Sequence, residues 1–206
     1  MKRHLRGMTL TEMAIVLGAM GLISGAIWAI VGTVWDGYRF RKMNQQVQTV
    51  AQALQDYYGN IGCLCSNVTG STKTAYANGD ITAIIDADAR RLIPIEMRSN
   101  KSVAGSTINH AMGGTFTVES MNSGSSFRLH IFALKKEACM RLLMEFPVTL
   151  PEMGVIRIAS GGGNAPIDAN DIVTTANTFP LSLTVANNWC NNTTNNEVSI
   201  DFKVRK

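Results

Sequence analysis

The chain has 206 residues, of which 46% are hydrophobic, and a formal net charge of +4. Lys2, Arg3 and Arg6 supply three of these charges, so the remainder is nearly neutral and does not indicate a nucleic-acid-binding protein. The length leaves room for one anchor helix and one globular domain of about 150 residues with its own core.

The N-terminal segment joins a short basic leader, residues 1–7, to a long apolar run. From Met13 through Trp35 there is no Asp, Glu, Lys or Arg. At about 1.5 Å per residue, a helix over this run crosses a hydrocarbon core of about 30 Å. A secretory signal peptide is cut after its apolar core, whereas the plausible site here, after Gly7, precedes the run. Cleavage would therefore remove the charges and leave the helix attached.

These residues resemble the class III signal of a type IV prepilin. The resemblance rests on the basic leader ending at Gly7, on Met8, and on Glu12 at the start of the apolar helix. It implies that a prepilin peptidase cleaves between Gly7 and Met8 and that the new amino group of Met8 is methylated. The short leader, and Met8 where the commonest pilins have Phe, point to the type IVb branch.

Glu12 needs an explanation, because a carboxylate at the edge of a membrane-spanning helix costs free energy unless it has a partner. The resemblance implies that Glu12 of one subunit neutralises the Met8 amino group of a neighbour in a filament, where the low dielectric strengthens the pair. The alternative is an N-terminal helix acid favoured by the helix dipole.

Four glycines lie inside the apolar helix: Gly18, Gly21, Gly25 and Gly32. Small residues allow helices to approach closely in a bilayer, and each glycine also weakens the helix by about 1 kcal/mol relative to alanine. Glycine is also simply common in membrane helices, so both interpretations stay open.

The helix is predicted to continue as an amphipathic segment to Tyr58, so that residues 8–58 form one N-terminal helix and 13–35 its membrane-spanning part. The apolar face comprises Val47, Val50, Ala51, Leu54 and Tyr57 or Tyr58. The other faces carry Gln45, Gln46, Gln48, Gln52 and Asp56. Gly59, Asn60 and Gly62 serve as stop signals.

Residues 59–206 are predicted to form a mixed α and β head. Asp80 caps a helix that runs to Leu92 and is closed by Pro94, and a second helix covers Lys135 to Phe146. Strand patterns cover Thr115–Glu119, Ser126–Leu134, Gly154–Ala159, Leu181–Ala186 and Val198–Val204. Asn122-Ser123-Gly124 predicts a hairpin turn. This order resembles the pilin head, in which an antiparallel sheet packs on the second half of the long helix, and it places the chain in the α+β class.

The compartment follows from the leader and the cysteines. Positive residues beside a span stay cytoplasmic, so the head is periplasmic or external. There, disulfides persist, and the cysteines allow three pairings among which the sequence does not choose. The resemblance implies a bond between Cys139 and Cys190. Cys63 and Cys65 depart from the pilin pattern and either bridge each other or cross to another part of the head.

The sequence contains no catalytic constellation. His110 and His130 are isolated, and His130 is expected to be a solvent-facing histidine on its strand. Asp168–Asp171 and Gly161–Gly163 are expected to be surface loops, and the asparagines around Cys190, from Asn187 to Asn196, a polar loop. We expect no enzymatic activity, metal or cofactor.

The sequence therefore predicts a structural subunit, the major pilin, of a type IVb pilus. Such a chain sits in the bacterial inner membrane with its head in the periplasm and then polymerises into a cell-surface filament. Its partners would be copies of itself, the prepilin peptidase and methyltransferase, an inner-membrane assembly platform, minor pilins and membrane lipid. The alternatives are a minor pilin or secretion pseudopilin, which share the leader and Glu12, and a signal-anchored periplasmic binding module. The sequence does not choose among adhesion, aggregation, conjugation and secretion as the role of the pilus.

Overall fold

The computed structural model describes residues 9–65, 74–87, 92–99, 107–145, 154–162, 172–174 and 181–204. Its contacts divide the chain into an N-terminal unit that ends at Arg39 and a head that begins at Phe40. Helix α1, Leu10–Ile61, runs through both and ends beyond the predicted Tyr58. It stops where Gly62 takes a φ of +83° and its N–H bonds back to the Tyr58 carbonyl at 2.8 Å.

In the N-terminal unit, the side chains of α1 face outwards. All residues from Thr9 to Asp36 are exposed, including Leu22 at 80% and Trp28 at 75%. The helix is long and apolar enough to cross a membrane. A continuous apolar surface of this size marks a site of contact with lipid or with other protein.

In the head, α1 buries one apolar stripe against the sheet. Its members recur every three or four residues and are each at most 5% exposed: Phe40, Met43, Val47, Val50, Ala51, Leu54 and Tyr58. The Arg141 guanidinium lies 4.3 Å from the centre of the Phe40 ring, which places a charge over the end of this stripe. The predicted apolar face is confirmed and extends further towards the N-terminus.

Two glutamines lie on the same buried face. Gln46 was predicted on another face, and this was wrong: it is 7% exposed and its Oε1 accepts from the Ala111 backbone N–H at 2.9 Å. Gln55 donates to the Lys203 carbonyl at 3.4 Å. Because a buried N–H needs an acceptor, an amide side chain on the packed face satisfies backbone groups that an apolar residue would leave without a partner.

The described residues form a seven-stranded antiparallel sheet in the order β1-β3-β4-β7-β5-β6, with β2 also paired to β3. The strands are β1 (Gly79–Asp80), β2 (Ile108–Asn109), β3 (Thr115–Met121), β4 (Ser126–Leu134), β5 (Val155–Gly162), β6 (Ile172–Thr174) and β7 (Asn196–Lys203). The predicted turn at Asn122-Ser123-Gly124 joins β3 to β4 and has positive φ angles at all three residues. The α+β architecture, a long helix on an antiparallel sheet, is confirmed.

Alternation along the strands separates a core face from an outer face. Burial in β3 alternates at every residue, with Phe116 and Val118 inward. Leu129 and Ile131 of β4 join the same core and pair with Ile200 and Val198 of β7. The sheet therefore contributes a continuous apolar layer against α1.

Several predictions about the head need correction. Leu181–Ala186 is not a strand: Leu183–Trp189 forms helix α4, because the Ser182 hydroxyl caps it by accepting from the Val185 N–H at 3.4 Å. Leu183 is 62% exposed, so the apparent alternation does not mark a buried strand face. Asn187 and Asn188 thus lie in α4 rather than in a loop.

The other corrections concern shorter and longer elements. Asp80 does accept from the Thr82 N–H at 2.8 Å, and helix α2 covers Thr82–Ala87. Residues 88–91 of the predicted helix lie outside the described residues, and Leu92 is not helical. A 3-10 turn, Ile95–Met97, follows. Strand β5 includes Gly161 and Gly162, which were predicted in a loop, since both pair with β7. Gly163 and Asp168–Asp171 lie outside the described residues.

Helix α3, Lys136–Glu145, matches the predicted second helix closely and buries Ala138, Cys139, Leu142 and Leu143. Asn196 was predicted in a polar loop but begins β7 and is fully buried, with its Nδ2 donating to the Leu134 and Asn192 carbonyls. This amide ties the end of β4 to the chain that leads into β7.

Gln46→Ala tests the polar tie between α1 and the sheet. We expect a loss of about 1–3 kcal/mol in the free energy of unfolding, because the Ala111 N–H loses its acceptor inside the head. Gln45→Ala is the matched control, since Gln45 is exposed and such positions change stability by less than about 0.5 kcal/mol. Urea unfolding of the full chain in detergent measures both variants, and equal effects would contradict the assignment.

Candidate functional site

The first turn of α1 contains the predicted assembly residue Glu12. Its Oε2 accepts from the Thr9 backbone N–H and from the Thr9 hydroxyl, both at 2.9 Å. The Thr9 hydroxyl in turn lies 3.3 Å from the Glu12 N–H. This is a reciprocal capping box with Thr9 at the N-cap. Gly7 and Met8, the predicted cleavage and methylation residues, lie outside the described residues.

The capping box uses only one of the two carboxylate oxygens of Glu12. Both bonds from Thr9 end on Oε2, and within the described residues Oε1 keeps its capacity to accept from another donor. Thr9 was not among the predicted site residues, although the spacing Thr9-Leu-Thr-Glu12 is the sequence signature of a capping box. In the single chain, then, Glu12 acts as the helix N-terminal acid of the alternative interpretation.

The helix surface beyond Glu12 is open on its glycine side. A Cβ built on Gly18, Gly21, Gly25 or Gly32 would meet no atom within 4 Å. The helix continues without interruption through all four positions. Such open, small positions let another helix approach the backbone closely.

The cysteines form two disulfides in the head. Cys139 of α3 bonds to Cys190 at the end of α4, and both residues are fully buried. Cys63 bonds to Cys65 just after α1. Leu64 between them accepts from the Tyr76 N–H at 2.9 Å and donates to the Gly124 carbonyl at 2.8 Å. This segment thus fastens the β3–β4 turn to the end of α1.

The two histidines of the head have different surroundings. His110 is buried at 3% exposure; its Nε2 lies 2.8 Å from the Phe132 carbonyl and its Nδ1 accepts from the Met112 N–H, which defines a neutral ring. His130 was expected to face solvent, and this was wrong. Its side chain is 16% exposed and lies between Glu197 and Glu119.

No group of three or more His, Cys, Asp or Glu side chains in the described part of the chain is arranged to hold a metal ion. The head offers packing, disulfides and charge pairs. The described part of the N-terminal unit exposes an apolar surface and the carboxylates of Glu12 and Asp36 near its two ends. This arrangement is suited to association with other helices or with lipid.

The architecture is that of a type IV pilin: a long N-terminal helix whose second half packs on an antiparallel sheet. A solved structure with this fold is TcpA, a type IV pilin from Vibrio cholerae El Tor biotype, which superposes with a TM-score of 0.50. The alignment covers 80% of this chain and 98% of TcpA, with 16% sequence identity, and therefore concerns the fold. No protein-family model matches the sequence, and no curated protein sequence matches it significantly.

The two disulfides should differ in their contribution to stability. In the chain-entropy description, a bond between residues 51 apart stabilises by about 4 kcal/mol and one between residues 2 apart by about 1.5 kcal/mol. Replacing Cys139 and Cys190 together by serine should therefore lower the unfolding midpoint more than replacing Cys63 and Cys65.

Chemical unfolding of the two double variants, made in the full chain, measures this difference. The Cys63 and Cys65 pair is the control for general effects of cysteine removal. A larger loss for that pair would mean that the Leu64 segment, and not the long cross-link, dominates the stability of the head.

Proposed function

We propose that the chain is a structural subunit, the major pilin, of a type IVb pilus. The observation that carries the proposal is the uncharged, outward-facing helix of the N-terminal unit, attached to a head with the pilin fold. Such a surface requires lipid before assembly and other protein after it, because both environments remove apolar side chains from water.

In this proposal, the precursor lies in the bacterial inner membrane with Lys2, Arg3 and Arg6 in the cytoplasm and the head in the periplasm. Prepilin peptidase cleaves after Gly7, and the Met8 amino group is methylated. The inner-membrane platform then transfers the subunit into the filament, with minor pilins as further partners. The disulfides of the head support an oxidising compartment.

Assembly would join the helices of successive copies. One copy presents its Met8 amino group to Glu12 of the next, and Oε1 of Glu12 is the oxygen that the capping box leaves for it. A head-to-tail contact of this kind is heterologous, so repetition produces an open helical filament. The short leader and Met8 support the type IVb branch, as does the bond between Cys139 and Cys190.

The subunit acts in this scheme as a building block without catalytic activity or cofactor, and Gly7 to Glu12 is a substrate site for other enzymes. A minor pilin would share the same helix and Glu12 and would differ in abundance within the filament. A signal-anchored binding module would require neither cleavage nor Glu12.

Substitutions at positions 9 and 12 separate the two roles of Glu12. Glu12→Gln keeps a residue suited to the capping box but removes the charge, whereas Thr9→Ala removes the capping hydroxyl and keeps the charge. We expect Glu12→Gln to abolish surface filaments and Thr9→Ala to retain them with a first turn weakened by about 1 kcal/mol.

Filaments sheared from cells and quantified by pelleting give the readout, and the amount of cleaved subunit in the membrane controls for expression. If Glu12→Gln assembles as well as the unmodified chain, Glu12 serves only as a helix cap and the proposed pairing is wrong.

The intact mass of purified surface filaments tests the processing. We expect loss of Met1 to Gly7, one methyl group on Met8 and two disulfides. A subunit that retains its leader in the filament would contradict cleavage after Gly7. Abundance in the same preparation distinguishes a major from a minor pilin.

A further inference from the structure

The outer face of the sheet carries charged side chains that its strand pattern places in adjacent rows. They come from four neighbouring strands, and we call them the outer charge cluster: Glu119, Arg128, His130, Arg157, Glu197 and Asp201. The side chains of Glu197 and Asp201 are 10% and 7% exposed and are largely shielded from water, whereas Glu119 and Arg157 are 32% and 26% exposed at the margin of the cluster. Charges in such surroundings need partners.

One half of the cluster is a group of three charges, in which two arginines bind one aspartate. Arg128 donates to both oxygens of Asp201, at 2.6 and 3.1 Å, and Arg157 donates to Asp201 Oδ2 at 2.6 Å. Both guanidinium groups stay charged at all ordinary pH values. This half therefore does not change between mildly acidic and alkaline solution.

The other half depends on His130. Its Nδ1 lies 2.6 Å from Glu197 Oε1, and its Nε2 lies 3.1 Å from Glu119 Oε2. A neutral imidazole has one N–H and one lone pair, so it would turn a lone pair towards one of these carboxylates. Only the protonated ring donates to both. Phe132 stacks parallel to the ring, with centroids 5.6 Å apart, and limits its hydration.

Ser199 is consistent with the protonated ring. Its hydroxyl lies 2.8 Å from His130 Nδ1 and 3.3 Å from Glu197 Oε1. With a protonated ring, the hydroxyl donates to Glu197 and every donor in the group has an acceptor. With a neutral ring, the nitrogen that lacks the proton turns its lone pair to a carboxylate: to Glu197 if it is Nδ1, and to Glu119 if it is Nε2. The Arg128 guanidinium also lies 3.8 Å from Glu119 Oε2, so that Glu119 has a second cation beside it.

We propose that the outer charge cluster holds His130 in its protonated form, and that loss of this proton loosens the sheet and makes the head a pH-sensitive element. With His130 protonated, the six groups have no net charge; with a neutral ring, they carry one uncompensated negative charge. Deprotonation thus leaves three carboxylates at the centre of the sheet with only two positive charges, those of Arg128 and Arg157.

The electrostatic interactions of His130 also favour its protonated form. Burial is the largest single influence on His130 and opposes its protonation, but the hydrogen bonds to Glu197 and Glu119 and the attraction of their negative charges together raise the pKa of the ring above its ordinary value. A group whose pKa rises on folding stabilises the fold fully below its unfolded value, about 6.5. This stabilisation is lost as the pH rises through the folded value.

Histidine NMR of the full chain in detergent tests the proposal directly. We expect the His130 ring to titrate with a midpoint above 6.5. Glu197→Gln should lower the His130 midpoint, and Glu145→Gln, at an exposed pair on α3, should leave it unchanged. A His130 midpoint at or below 6.5 in the unmodified chain would overturn the proposal.

Urea unfolding between pH 6 and 9 measures the consequence for stability. For each pKa unit that folding adds to His130, the unfolding equilibrium constant should rise about tenfold relative to His130→Gln across this range. Glu145→Gln, at the exposed pair on α3, is the matched control and should keep the pH dependence of the unmodified chain. If His130→Gln keeps the same pH dependence as the unmodified chain, the cluster is not the source of it.

Discussion

The structure depends on an apolar helix surface whose exposure to water is unfavourable. From Met13 through Trp35, α1 carries no charge and buries nothing within the protein. Burial of apolar surface is worth about 25 cal/mol per Å², so removing this helix from water outweighs any single contact in the chain. This apolar part of the helix therefore needs lipid or other protein around it, and the head must obtain its stability from its own contacts.

The head meets that requirement by making the second half of α1 part of its core. The stripe from Phe40 to Tyr58 packs on the sheet, while Gln46 and Gln55 bond to backbone groups at two places in the head. The same helix thus presents apolar residues outwards in one unit and inwards in the other. The outer face of the sheet is instead stabilised by charge pairs. The apolar side chains of the inner face can therefore pack against α1.

The sequence was sufficient for the long helix, the hairpin and the α+β class, because each has a strong local signal. A run without charges, an Asn-Ser-Gly turn between alternating segments and helix stop residues all act within a few positions. It was insufficient for α4. The Leu-x-Leu-x-Val spacing that begins at Leu181 fits a strand, and only the Ser182 cap and the burial of Ala186 and Cys190 favour the helix that forms there. The short strands β1 and β2 were missed because two residues carry no periodicity.

The functional residues likewise include some that the sequence predicts and some that it does not. Glu12 was identified from its position, and the Thr9 partner was readable from the spacing but was not used. His130 could not be placed, since its two carboxylate partners are 11 and 67 residues away in sequence and meet only through strand register. Long-range pairing of this kind leaves no mark in local composition.

The position of β7 has a consequence for the order of events in the life of the chain. This strand comes latest in sequence among the described strands, yet it lies between β4 and β5 and supplies Val198, Ile200 and Phe202 to the core. Until it is delivered, the sheet consists of two separate pieces, and distant pairings of this sort close slowly. In an exported protein, the sheet of the head could then close only after the chain as far as Lys203 has crossed the membrane.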